Sequence, residues 1–279
     1  MTRETLQDAG LAALKLLALL TGYFTVLVIL SLVWVVFAGL ENYPESLNDG
    51  MKVLQILSGG IFMFYLIRYY RKKKFSFRTS AGLVKTGFTL REYGMFAALG
   101  TLLNLFCIIV INLLPAQVTA SYGVSVSQSL SVGGLLLNCL VILVYAPLME
   151  EIIFRGLCLT YLRGCMKPYA AAVLLSVVFG LSHAQPLWVV YTMLMGMVFS
   201  VAAIRSQSII PSIVAHFSFN FVSLALYSIA AAHGVDWPFG LPVFAVWLML
   251  AAVSGLAAVI SIKLYRLTGR CNDNGANCA

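Results

Sequence analysis

Charge is what this chain has least of. Only ten Asp and Glu residues occur among 279, against 18 Lys and Arg, and charged residues together make up 10%. So little charge, set beside 61% hydrophobic residues and a mean hydropathy of +0.94, does not describe a water-soluble domain. Apolar runs of about 20 residues recur instead, the length that crosses a hydrocarbon layer of ~30 Å. Strong apolar–polar alternation over stretches of about ten residues is missing, which argues against an outer-membrane barrel. Helices, which satisfy their own backbone inside lipid, are what remains. No fixed-period repeat marks a solenoid, and no inverted repeat relates the two halves. The fold class is therefore all-α, a polytopic transmembrane helical bundle.

The apolar runs divide into about eight spans, roughly 11–39, 51–70, 92–115, 134–163, 168–185, 187–204, 209–231 and 241–265. The first follows Arg3, Glu4 and Asp8 and is too long for a signal-peptide core, so it is expected to stay as a helix. Basic residues set the orientation. Arg68, Arg71, Lys72, Lys73, Lys74, Arg78, Lys85 and Arg91 crowd the connection after the second span. Arg163, Lys167, Arg205, Lys263, Arg266 and Arg270 fall on the same side if the spans alternate. By the positive-inside rule that side is cytoplasmic, and both termini with it. The opposite connections carry Glu41, Glu45, Asp49 and Asp236, with Lys52 their one basic neighbour. Topology and contact with anionic membrane lipids account for the net charge of +8, and no nucleic-acid partner is implied.

Six cysteines do not form a disulfide scaffold here. Cys107, Cys139 and Cys158 lie in apolar helix and Cys165 in a short turn, while Cys271 and Cys278 sit in a polar tail on the reducing side. The tail is expected to be mobile and does not read as a prenylation signal.

Polar residues within the spans concentrate in the second half, in three elements. The first is Glu150-Glu151-Ile152-Ile153-Phe154-Arg155 on the fourth span, the one place where acidic residues enter a long apolar segment. A carboxylate at membrane depth is costly and marks a functional site by default. Helical neighbours diverge by about 100°, so the two carboxylates serve different directions, whereas Glu151 and Arg155 at i,i+4 can pair on one face. That division leaves Glu150 over, and the desolvation expected of it there suits a carboxylate to general-base work. The second element is Phe179-Gly180-Leu181-Ser182-His183, late in the fifth span. A single histidine there has two readings, a packed residue bonded to a carbonyl or a site residue. In an antiparallel helical pair turning around Arg163 to Pro168, His183 and Glu150 reach about the same depth. The third is His216-Phe217-Ser218-Phe219-Asn220 on the seventh span, where His216 and Asn220 share a face. Interhelical glue is the competing role for this pair. His233 is expected to be a solvated loop residue.

These elements, EEIIFR, FGLSH and HFSFN in that order on separate apolar helices, resemble the CPBP family of intramembrane proteases, which includes CAAX prenyl proteases and bacteriocin-processing or Abi proteins. The family pattern is E-E-x-x-x-R, F-x-x-x-H and H-x-x-x-N or D. The resemblance covers roughly residues 134–231, an expected catalytic core between N-terminal scaffold helices at 1–133 and a last helix and tail at 232–279. It implies an intramembrane endopeptidase in which Glu150 activates water for attack on a peptide carbonyl. His183, His216 and Asn220 would orient that water or stabilise the oxyanion. Glu151, Arg155 and Phe179 would support the site. The implied substrate is a membrane-associated or lipidated peptide or protein, and the short connections look most like a bacterial plasma-membrane member.

Glu150, His183 and His216 are also a ligand set for a catalytic zinc, which would lower the pKa of bound water to about 7. A glutamate that ligates metal is not available as base, so glutamate-activated water is the favoured chemistry and a metalloprotease the alternative. Glu150 and His216 each lie roughly 15–20 Å from their basic connections along a continuous helix, which predicts a cavity opening toward the cytoplasmic side. Gly156, Gly164, Gly180 and Gly196 could admit close helix approach. Two other classes fit intramembrane carboxylates and histidines: a proton-coupled transporter, and a catalytically idle immunity or scaffold protein on the same fold.

Overall fold

The computed structural model describes residues 3–38, 46–131, 134–183, 185–233 and 242–273. Ten helices account for almost all of them: α1 (Arg3–Ala38), α2 (Ser46–Lys72), α3 (Phe77–Ser80), α4 (Leu90–Asn112), α5 (Ala116–Ser131), α6 (Gly134–Arg163), α7 (Pro168–Leu181), α8 (Pro186–Ser206), α9 (Ile210–His233) and α10 (Val243–Asp273). Among the described residues there is no strand. Six helical stretches are long and apolar enough to cross a membrane: Gly50–Lys72, Leu90–Asn112, Gly134–Arg163, Pro186–Ser206, Ile210–Ala230 and Val243–Gly269. Two shorter apolar stretches, Leu17–Leu32 within α1 and Pro168–Leu181, fall where the remaining two expected spans lie. The protein is a multi-pass integral membrane protein. Glu41, Glu45, Asp236 and Cys278, assigned above to connections and tail, lie outside the described residues.

Proline punctuates the second half. Pro168 and Pro186 each open a helix, Pro211 is the second residue of α9, and Pro115 and Pro242 stand immediately before α5 and α10. A missing N–H costs nothing in a first turn and the fixed φ is already helical, so these positions start helices and separate them from what precedes. Gln185 supplies the cap of α8, its Oε1 accepting from Trp188 N at 2.9 Å. At α4, Thr89 and Glu92 form a capping box, in which the Glu92 carboxylate accepts from Thr89 N at 2.6 Å.

Pro147 is the exception, because it lies inside α6. An internal proline loses the bond to the carbonyl four residues back and crowds it. The turn before it, Cys139–Tyr145, widens to π-helix, and Glu151–Cys158 is π-helical again. Such widened turns are rare and occur frequently at functional sites.

The chain divides into two compact units, one of residues 1–84 with 131–175, the other of 85–130 with 176–279. In the first, α1 packs against α2 and against the second half of α6, and α2 against the 139–145 stretch. Lys52 donates to the Asn138 side chain where α2 and α6 begin, and the Tyr70 and Tyr161 hydroxyls bond at 2.6 Å where they end. The two helices therefore run parallel, and their basic ends, Arg71 and Lys72 on one and Arg163 on the other, lie on one side. Gly156 of α6 meets the backbone of Ala81, which is wholly buried after α3; no Cβ fits between them.

In the second unit α9 packs along α4, and α10 lies on α4 and α8. Its core joins Phe96, Leu99 and Cys107 of α4 to Met195 and Phe199 of α8, Ala215 and Phe219 of α9 and Leu264 of α10. Gly100 faces the Ala215 backbone so closely that a Cβ there would collide with it. Arg205 fastens the end of α8 to α10, donating to Thr268 Oγ1 at 2.9 Å and to the Tyr265 carbonyl at 2.6 Å.

Candidate active site

The adjacent glutamates have different surroundings. Glu151 is fully buried, and its Oε1 accepts from Arg155 Nη1 at 3.0 Å, with the two side chains 0% and 1% exposed. The i,i+4 pair expected on one face is thus formed, within the π-helical part of α6. Every residue from Glu151 to Leu159 is buried, whereas Glu150, expected to be desolvated, is partly exposed. Two hydroxyls that sequence reasoning missed lie near it: Tyr23 of α1 and Tyr145 of α6 hydrogen-bond each other, and both stand within electrostatic reach of Glu150. Tyr145 also donates to the Gln55 carbonyl of α2, over Gly59, where a Cβ would strike its ring. A tyrosine five residues before a glutamate carries no sequence signal. Only the helix that meets it reveals the contact.

The histidines belong to the second unit, with Phe179 between them. His183 lies just beyond α7, which ends at Leu181, rather than within a span reaching 185. Gln185 and Pro186 begin the next helix so soon that the chain must turn here. The His183 Nδ1 lies 2.8 Å from the Phe179 carbonyl. A carbonyl can only accept, so Nδ1 carries a proton and donates it to this bond. A packed histidine would show the same bond, but so would one whose reactive nitrogen is being oriented. The Phe179 ring meets His183 edge-on at 4.9 Å and His216 edge-on at 6.4 Å. His216 is buried, 7% exposed, and stacks on Phe199 at 5.0 Å. The aromatic framework thus gathers both histidines. Asn220 follows one turn after His216 on α9 and is partly exposed.

Two of the four glycines singled out by sequence hold this framework. A Cβ at Gly196 would come within 3.2 Å of both the Phe179 ring and Ser176, and one at Gly180 would run into Met193 and the Val189 carbonyl. They let α8 lie directly against α7 at the level of Phe179. Gly164 meets only the carbonyl of its own turn. At the rim, Tyr122 of α5 sets its ring edge-on to Trp188 and Tyr191 at 6.2 and 6.4 Å, and burial pushes its phenol up from the ordinary value, so it stays a neutral donor. His233 is exposed at the last residue of α9, a helix end rather than a loop.

A model of the "Type II CAAX prenyl endopeptidase Rce1-like" family matches residues 132–222, the segment that holds all three elements. The match covers less than half of the chain and is a likeness of that segment to the family. The family's description is that of an endopeptidase. No curated protein and no solved structure matches it.

Among the described residues no three His, Cys, Asp or Glu side chains stand together in a way that could hold an ion. The side chains of the three elements carry carboxylate, imidazole and amide groups.

Proposed function

We propose that the protein is an intramembrane endopeptidase that hydrolyses a peptide bond of a membrane-associated or lipidated peptide or protein, with Glu150 activating the water. The contrast between the two glutamates carries this reading. Glu151, sealed from solvent and paired with Arg155, has the character of a structural ion pair, whereas Glu150 is partly exposed on the same helix. A carboxylate that is to accept a proton from water must be reachable, and one that holds a buried cation must not be.

His183, through Nε2, would take or return a proton during attack and departure. His216 and Asn220 would donate to the tetrahedral oxyanion, which is worth about 2.7–4 kcal/mol per well-placed donor. Phe179 would hold both imidazoles at their angles. The motifs of these residues follow the family order within the matched segment, which supports a shared role. The proposed setting is a bacterial plasma membrane with both termini cytoplasmic and cleavage near that face.

The test compares membrane-peptide cleavage in cells carrying the wild type and Glu150→Ala, with and without chelator. Peptides that disappear with Glu150→Ala and are indifferent to chelator are the expected result. Cleavage at the wild-type level by that variant, correctly inserted, would exclude Glu150 as the base.

A further inference from the structure

Two cavities at the basic end of α2 join in a way that the proposed hydrolysis does not use. One, of about 510 Å³, is lined by Tyr65, Arg68, Tyr69, Arg71 and Lys72. The other, of about 560 Å³, runs between α1 and α2, lined largely by apolar and aromatic side chains such as Leu19, Ile61 and Phe62. Tyr65 and Tyr69 line both, so the basic pocket opens onto the apolar groove. Among the described residues neither is lined by a carboxylate. Lys15 enters the groove from α1 with its Nζ 5.6 Å from the Tyr161 ring, and the bonded Tyr70 and Tyr161 hydroxyls form part of the wall.

We infer that this end of the molecule holds one anionic phospholipid, its phosphate on Arg68, Arg71 and Lys72 and an acyl chain along the α1–α2 groove. A run of basic residues after a span is ordinarily a solvated face that meets the membrane diffusely. Three features point to a defined site instead. Arg68, Arg71 and Lys72 are spaced i, i+3, i+4 and converge on one cavity. Guanidinium groups match phosphate oxygens two at a time. The tyrosines lie where aromatic rings favour the headgroup level, between the charged pocket and the apolar groove. The charge calls for an anion, and the groove continuous with it calls for a chain, a combination that an inorganic anion or a neutral lipid does not supply.

Thermal unfolding of the purified full chain in neutral detergent tests this, with phosphatidylglycerol, phosphatidylcholine or glycerol phosphate added. Phosphatidylglycerol should raise the midpoint well above phosphatidylcholine, with no effect of glycerol phosphate. Arg68→Gln/Arg71→Gln should weaken the apparent phosphatidylglycerol affinity at least tenfold. Lys73→Gln/Lys74→Gln, which removes equal charge from adjacent exposed positions outside both cavities, should leave it unchanged. Ala18→Phe, which narrows the groove without altering charge, should weaken it as well. Equal shifts with both lipids, equal losses in the two double variants, full affinity in Ala18→Phe, or glycerol phosphate acting as well as the lipid would each overturn the site. All these variants leave Glu150, the histidines and Asn220 intact, so the outcome is independent of cleavage.

Discussion

Arg155 is buried to 1% exposure and paired with Glu151 at 3.0 Å, so cutting away either partner strands a charge in an apolar interior. Arg155→Leu alone is expected to destabilise the protein by about 3–5 kcal/mol, whereas Arg155→Leu with Glu151→Met should recover most of that loss. Unfolding of the single and double variants in detergent decides it, and a double variant no better than the singles would mean the pair is not self-contained. His183 makes a finer prediction. Its Nδ1 lies against the Phe179 carbonyl, so in the proposed reaction Nε2 would be the working nitrogen. His183→Gln, which keeps a polar atom near the Nε2 position, should retain more kcat than His183→Asn, which keeps one near Nδ1. The reverse order would place the histidine's role in packing.

At the scale of elements, close approach between helices does what side-chain pairing does at the residue scale. Gly100 meets the Ala215 backbone next to His216, so Gly100→Ala must push α4 and α9 apart. It is expected to cost about 1–3 kcal/mol and to lower activity, while Gly164→Ala, which meets only its own turn, stays near wild type in both. Midpoints and turnover of the two variants check the contrast. The span positions were legible in the apolar runs, because lipid leaves helices as the solution for such lengths. Three features were not. α5 is rich in Ser, Thr and Gln and has no long apolar run to announce it. α7 stops at Leu181 because the cap and proline of the next helix follow at once. The π-helical turns of α6 leave no local signature beyond Pro147.

For the whole molecule, the sequence readily exposed the polar groups, since charges and histidines stand out within apolar helices. What it hid were the partners those groups meet across chain-distant helices, such as Tyr145 over Gly59 and Asn104 donating to Ser223 at 2.6 Å. Such contacts depend on packing rather than on spacing. Topology has a direct test at this scale. With alternating spans, a cysteine at Lys73 and one at His233 lie on opposite faces. A membrane-impermeant thiol reagent added to intact cells should label His233→Cys and not Lys73→Cys, each in a background lacking other cysteines. Labelling of both from one side would break the alternation.

The central claim is that one glutamate is chemical and its neighbour structural. Cleavage and unfolding midpoint measured together on Glu150→Gln and Glu151→Gln test it most directly. Glu150→Gln should lose cleavage by at least a hundredfold with its midpoint intact, and Glu151→Gln should lower the midpoint markedly. A stable, inactive Glu151→Gln beside an active Glu150→Gln would contradict it.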